Sequence, residues 1–384
     1  MKFKEFENRV VLILIVIFIY SYAIEAILSN NVEMTIPTFF ILCSVILFLV
    51  LKNNNVKILR LEDYLILTFI IYILIHSIFI SEPMEAIKVI LGSLAAFFIG
   101  RYVNIQRERD YEFIKRIINI CGYVLLIAII INFLNGSNQY RVTVGDTHPV
   151  AIGELLGIFS LINLFDEKGI SKNKWGITNV IIGLFTMIAI VGSRGAFFST
   201  ILSILLFLFV LLPLKKRIYL LLLTVFLIYT YITITTNPYL LTKFPTISRF
   251  SLYNIINDPS VTGSHKYIGR FDVYSESIRF FKENPIFGAG INKVYSHNVF
   301  LELLATTGIM GFSIMLLFFT TIFLNIKLLI KEKFGFWLIC LFLFVFIYRQ
   351  TSFTLSTSKS VFLFAGMITS LYYYIKNIKK GENK

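Results

Sequence analysis

Three short stretches of the sequence combine residue types that handle negative charge or protons. Gly192-Ser193-Arg194-Gly195-Ala196 sets a lone arginine in a tight turn between two apolar runs. Gly269-Arg270-Phe271 puts a second arginine where an amphipathic pattern begins, and there a guanidinium and free helix N–H groups would converge on a site suited to phosphate. The third stretch is Asn284-Pro285-Ile286-Phe287-Gly288-Ala289-Gly290, followed by Ser296-His297-Asn298, Glu302 and the span from Gly308 to Gly311. His297 is its most pointed residue, because an imidazole exchanges a proton near neutral pH. His148 is a second candidate, while His265 and His76 are less pointed. Plainer readings stand beside these. Arg194 also fits an interfacial arginine that snorkels; Arg141, Arg249, Arg270 and Arg279 also fit solvated loop positions; a lone interfacial histidine is ordinarily structural.

The elements that must hold these residues are set by composition. Of 384 residues, 57% are apolar and only 15% charged, and a soluble domain of that make-up could not cover its own core. This excludes a cytosolic enzyme, a disulfide scaffold, a disordered chain and a nucleic-acid-binding module. It leaves an all-α, polytopic integral membrane protein. Crossing the hydrocarbon takes roughly 20 apolar residues, and twelve runs qualify: Val10–Leu28, Ile36–Leu51, Tyr64–Ile80, Ala86–Tyr102, Ile117–Leu134, Val150–Phe165, Ile177–Val191, Ala196–Leu212, Ile218–Ile234, Asn298–Ile326, Phe334–Tyr348 and Ser360–Ile375. The first is too long for a signal-peptide core and reads as a retained span. Cys43, Cys121 and Cys340 lie within apolar runs, with no disulfide or metal spacing.

Basic residues give the sidedness. Of the 36 Lys and Arg, 24 fall in seven short alternate segments, which places both termini in the cytoplasm. Arg194, Arg270 and His297 then lie on the outer side. Spans nine and ten are joined by one long extracytoplasmic loop, residues 235–297. Within it Phe271, Tyr274, Ile278 and Phe281 recur at helical spacing, so an amphipathic helix is expected near 271–283, stopped by Asn284-Pro285. The whole of 1–384 reads as a single membrane domain. No Walker lysine loop, DxD, HExxH or GxSxG is present. Reactive groups therefore lie where nucleotides are scarce, and a donor there must bring its own activated leaving group.

At this point the chain resembles the O-antigen ligase and polymerase family of bacterial envelope polysaccharide assembly. The resemblance rests on Gly192-Ser193-Arg194-Gly195-Ala196, Arg270, Asn284-Pro285 with Gly288 and Gly290, and His297-Asn298 with Leu301, Gly308 and Gly311, covering roughly residues 190 to 312. It implies a GT-C-like glycosyltransferase of the cytoplasmic membrane that needs no metal or other cofactor. Its substrate would be a glycan carried on undecaprenyl diphosphate, transferred at the outer face to an acceptor hydroxyl. Partners implied are that lipid-linked glycan, membrane lipid, and a chain-length regulator and flippase of the same pathway, with no nucleic acid. Carried over by position, Arg194 and Arg270 match the arginines that hold the lipid diphosphate, and His297 matches the histidine needed for transfer. Arg141, Arg249, Arg279, Gly288, Gly290 and Asn298 are expected to bind substrate. The residues after Arg141, Gly145-Asp146-Thr147-His148-Pro149, depart from the asparagine-containing pattern expected there.

Two readings share this donor half-site. In the polymerase reading the acceptor is another lipid-linked repeat unit; in the ligase reading it is lipid A-core or another terminal carrier. A composition heavy in Ile, Lys, Asn and Phe suggests an AT-rich genome and favours the polymerase. A flippase, the alternative of another class, would place ionisable residues at the midplane. Here Glu25, Glu85, Glu154, Arg194 and Glu302 sit nearer the outer ends of their runs.

Overall fold

The computed structural model describes residues 2–28, 59–80, 83–103, 108–135, 142–144, 147–166, 169–171, 173–237, 239, 270–291, 293–352 and 354–382. An apolar segment in lipid must satisfy its own backbone groups, and a helix does so within one segment. The described residues form α1 (Lys2–Leu28), α2 (Leu61–Phe79), α3 (Pro83–Tyr102), α4 (Glu108–Asn135), α5 (Pro149–Asn163), α6 (Lys174–Val191), α7 (Arg194–Leu211), α8 (Leu214–Thr236), α9 (Arg270–Glu283), α10 (Val299–Leu329), α11 (Phe336–Tyr348) and α12 (Lys359–Glu382). A two-residue hairpin, β1 (Phe165–Asp166) with β2 (Gly169–Ile170), links α5 to α6.

The apolar runs coincide with α1 to α8 and α10 to α12. The second run, Ile36–Leu51, lies outside the described residues, as do Arg141, Arg249 and much of the expected outer loop. Among the described residues seven helices (α2, α3, α4, α6, α7, α8 and α10) are long and apolar enough to cross a membrane, by length and composition. The chain is thus a polytopic helical membrane protein.

Not every helix meets lipid. α11 has 13 residues, about 20 Å at 1.5 Å per residue, short of the roughly 30 Å hydrocarbon core. It is apolar on all sides and buried on nearly all of them, as a helix enclosed by others should be. α5 is similarly enclosed. α8 is the opposite case, with Tyr219, Leu222, Val225, Phe226 and Tyr229 all exposed.

Polar side chains inside the bundle pair with one another. Asn163 of α5 exchanges hydrogen bonds with Asn119 of α4 at 2.6 and 3.2 Å, and accepts one from Asn179 of α6 at 3.3 Å. Such ties between helices are worth about 0.6–2 kcal/mol each. At one end of α2, α3, α10 and α12, Asp63 accepts from Arg101 Nε at 3.2 Å and from the Arg60 N–H at 2.8 Å. Beside it Glu62 accepts from Asn325 at 2.7 Å and from the Tyr373 hydroxyl at 3.2 Å. The candidate site lies at the opposite end of these four helices.

Candidate functional site

α6 ends in a π-helical turn, Met187–Val191, and only Gly192 and Ser193 separate it from Arg194, the first residue of α7. Gly192 is left-handed, with φ 64°. Half-buried Arg194 is thus the first residue of a helix, where free N–H groups and the positive end of the macrodipole favour an anion. It lies within electrostatic range of Tyr231 on α8.

The second constellation begins at Asn298, the N-cap of α10. Its Oδ1 accepts the N–H groups of Phe300 and Leu301, each at 3.0 Å, which is the expected work of an asparagine cap. Just before it, His297 has a left-handed backbone, φ 54°, the one positive φ of a non-glycine among the described residues. That conformation costs about 1–3 kcal/mol and gathers at functional sites. The imidazole packs at a tilt of 53° against Tyr295, ring centroids 4.0 Å apart.

The turn after α11, residues 348–352, brings these two constellations together. Tyr348 donates its hydroxyl to the Val150 carbonyl at 2.9 Å and lies 3.2 Å from the Ser193 hydroxyl. A side chain at Gly195 would run into Tyr348, Thr351 and Ser352. On the other flank, the Val299 N–H donates to the Arg349 carbonyl at 3.2 Å, and Asn298 Nδ2 donates to the Gln350 carbonyl at 3.2 Å. Arg349 is itself fixed. Its Nη2 donates to both carboxylate oxygens of Glu154 on α5, at 2.7 and 2.8 Å, with both side chains buried.

Glycines explain how α10 is built. Its regular path breaks at Gly308, φ 63° and ψ −168°. The segment 284–290 fills the break with backbone bonds. Ala289 and Gly290 N–H groups donate to the Ala305 and Thr306 carbonyls at 2.8 and 3.1 Å, and the Ile309 and Met310 N–H groups donate to the Pro285 and Ile286 carbonyls at 2.9 and 3.3 Å. A Cβ on Gly288 would meet the backbone of Thr306 and Thr307, and one on Gly308 that of Ile286. α2 clamps the arrangement: Tyr72 donates to the Thr307 carbonyl at 2.6 Å, and His76 Nε2 lies 2.7 Å from the Phe287 carbonyl.

The expected residues are therefore distributed unevenly. The Arg194 and His297-Asn298 segments meet on one turn. Gly288 and Gly290 have positive φ, 81° and 112°, so both have a structural reason to be glycine. Arg279 is exposed on α9, in surface pairs with Glu276 at 3.7 Å and Glu283 at 3.9 Å. Arg270 opens α9; its side chain, with Arg141 and Arg249, lies outside the described residues. α9 packs along α10 and buries Ser277, with Ile278 exposed, so its inner face is turned one position from the expected Tyr274-Ile278 register. His148 is the N-cap of α5, its Nδ1 accepting the Val150 N–H at 3.2 Å.

Sequence reading missed Tyr348, Arg349 and Gln350. The signal was present in Glu154 and Arg349, opposite charges lying in or directly beside apolar runs, where a partner is required. The fold defines a class, a polytopic helical membrane protein, with the candidate site at one end of its bundle. Residues 179–316 match the family described as O-antigen ligase, and the resemblance read from the residues is shown over that segment. It runs from α6 into α10 and contains Arg194, Arg270, the 284–290 segment, His297 and Gly308. No curated protein matches the chain.

Proposed function

We propose that the protein is a membrane glycosyltransferase of surface polysaccharide biosynthesis. It polymerises lipid-linked oligosaccharide repeat units at the outer face of the cytoplasmic membrane, taking the growing glycan from undecaprenyl diphosphate. The chain makes twelve passes, the short α5 and α11 being enclosed by other helices, with both termini cytoplasmic. The observation that carries this reading is the 348–352 turn, which holds the helix-start arginine Arg194 and the strained His297 segment on one structural element.

The chemistry follows from those groups. The acceptor hydroxyl oxygen attacks the anomeric carbon, the bond from that carbon to the diphosphate oxygen breaks, and its electron pair leaves with the diphosphate. Arg194 and Arg270 stabilise the charge that gathers there, an effect worth about 3 kcal/mol for a well-placed donor. His297 takes the hydroxyl proton, a role worth about 10²–10⁴ in rate. A single displacement inverts the anomeric configuration.

The alternative is a ligase, with a terminal carrier as acceptor, and the family match over residues 179–316 fits both readings. The two differ in product. A polymerase mutant accumulates single repeat units on lipid, and a ligase mutant accumulates long lipid-linked chains. Arg194→Ala, Arg270→Ala and His297→Ala should each abolish long-chain surface glycan at unchanged protein level; full-length glycan in all three would refute the site.

A further inference from the structure

Four carboxylates are buried among the described residues: Glu62, Asp63, Glu154 and Glu302. The first three have donors on both oxygens. Glu302, one turn into α10, is the exception. Its Oε1 accepts the Leu355 N–H at 2.9 Å, while Oε2 is buried with no hydrogen-bond partner. Gln350 repeats the pattern. Its Nε2 donates to the Phe346 carbonyl at 3.2 Å, which fixes the amide, and its Oε1 is buried without a partner.

Both residues belong to one seam. There the start of α10 is stitched to Arg349, Gln350 and Leu355 by the Val299–Arg349, Asn298–Gln350 and Leu355–Glu302 bonds. A bare buried acceptor costs about 1–3 kcal/mol, and more when charged. Two on one seam mark a place where donors arrive with a ligand. The bare atoms of Glu302 and Gln350 are oxygens, and a ligand meets them with O–H or N–H groups. Among the described residues no group of three His, Cys, Asp or Glu side chains could hold a metal ion. Its neighbours along the chain are hydroxyls: Thr351, Ser352, Thr354, Ser356, Thr357 and Ser358. A ligand rich in neutral O–H donors is a sugar.

We propose that this seam is the acceptor-sugar subsite, where hydroxyls of the glycan receiving the transferred chain donate to Glu302 Oε2 and Gln350 Oε1. It rests on the glycosyltransferase reading and gives that site its second half: diphosphate on the Arg194 side, acceptor hydroxyls on the Glu302 side, with His297 five residues before Glu302.

Glu302→Gln tests it, because glutamine keeps an oxygen for the Leu355 N–H and replaces the bare oxygen with a donor. Three measurements on the full-length protein separate the outcomes: thermal midpoint in detergent, binding of undecaprenyl diphosphate, and glycan length in cells lacking the native copy. The expected result is a midpoint equal to or above the parent's, undecaprenyl diphosphate binding retained, and a loss of long chains of about fivefold, the value of one hydrogen bond. Gln350→Met should lower chain output in the same direction. Full-length glycan from both variants overturns the subsite. A lowered midpoint, or lost undecaprenyl diphosphate binding, in Glu302→Gln also overturns it, since Glu302 would then be ordinary structure or part of the donor half. If the parent itself binds no undecaprenyl diphosphate and Arg194→Ala still makes full-length glycan, the glycosyltransferase reading fails and the subsite falls with it. That outcome is distinct, because it appears before Glu302 is touched.

Discussion

Gly288 and Gly308, twenty positions apart, lie backbone against backbone. Each has a positive φ, 81° and 63°, and each stands where a side chain would strike the main chain of the other's segment. Gly288→Ala should therefore combine a left-handed penalty of about 1–2 kcal/mol with overpacking of about 1–3 kcal/mol. A clear drop in thermal midpoint is expected by size-exclusion with heating. An unchanged midpoint would mean that the 284–290 segment does not complete α10.

Arg349→Met leaves Glu154 buried without its partner, at a cost of about 3–5 kcal/mol. Glu154→Leu combined with Arg349→Met removes both charges and should recover much of the lost stability. The double variant matching the sum of the two singles would show that the pair is not coupled.

Asn298 does two jobs with two atoms, and substitution separates them. Asn298→Asp keeps the oxygen that caps α10 but loses the Nδ2 donor to Gln350. Asn298→Ala loses both, the cap alone being worth about 1 kcal/mol. Stability should fall in the order Asn, Asp, Ala. Equal stability of the aspartate and alanine variants would contradict the capping role.

Arg194→Lys should fail like Arg194→Ala in a glycan-length assay, because a guanidinium can grip a diphosphate through two parallel N–H donors and an ammonium is a point charge. Wild-type chain lengths from the lysine variant would reduce the requirement to positive charge alone.

Much of the fold was legible because it depends on local composition. Runs such as Ile117–Leu134 and Ile218–Ile234 have few ways to satisfy their backbone except as helices, and Gly192-Ser193 marked a turn that the structure places between α6 and α7. Asn284-Pro285 likewise stops α9 where expected. What escaped was long-range. Gly308 lies inside an apolar run with no local sign of a break, since the break depends on a segment twenty residues upstream. The Glu154–Arg349 pair joins residues 195 apart. Gly288 and Gly290 stood out through the family resemblance, while their packing against α10 depends on a stretch of chain some twenty residues away.

The patch over Gly308 ties surface to interior. Residues 284–290 leave α9 and plug the helix into which the chain then runs, so the connection closes on itself with no slack. Any sliding of α9 must shear the Gly308 joint, and the turn that carries His297 lies within the same loop. α9 and α10 are therefore joined through backbone bonds on both sides of Gly308.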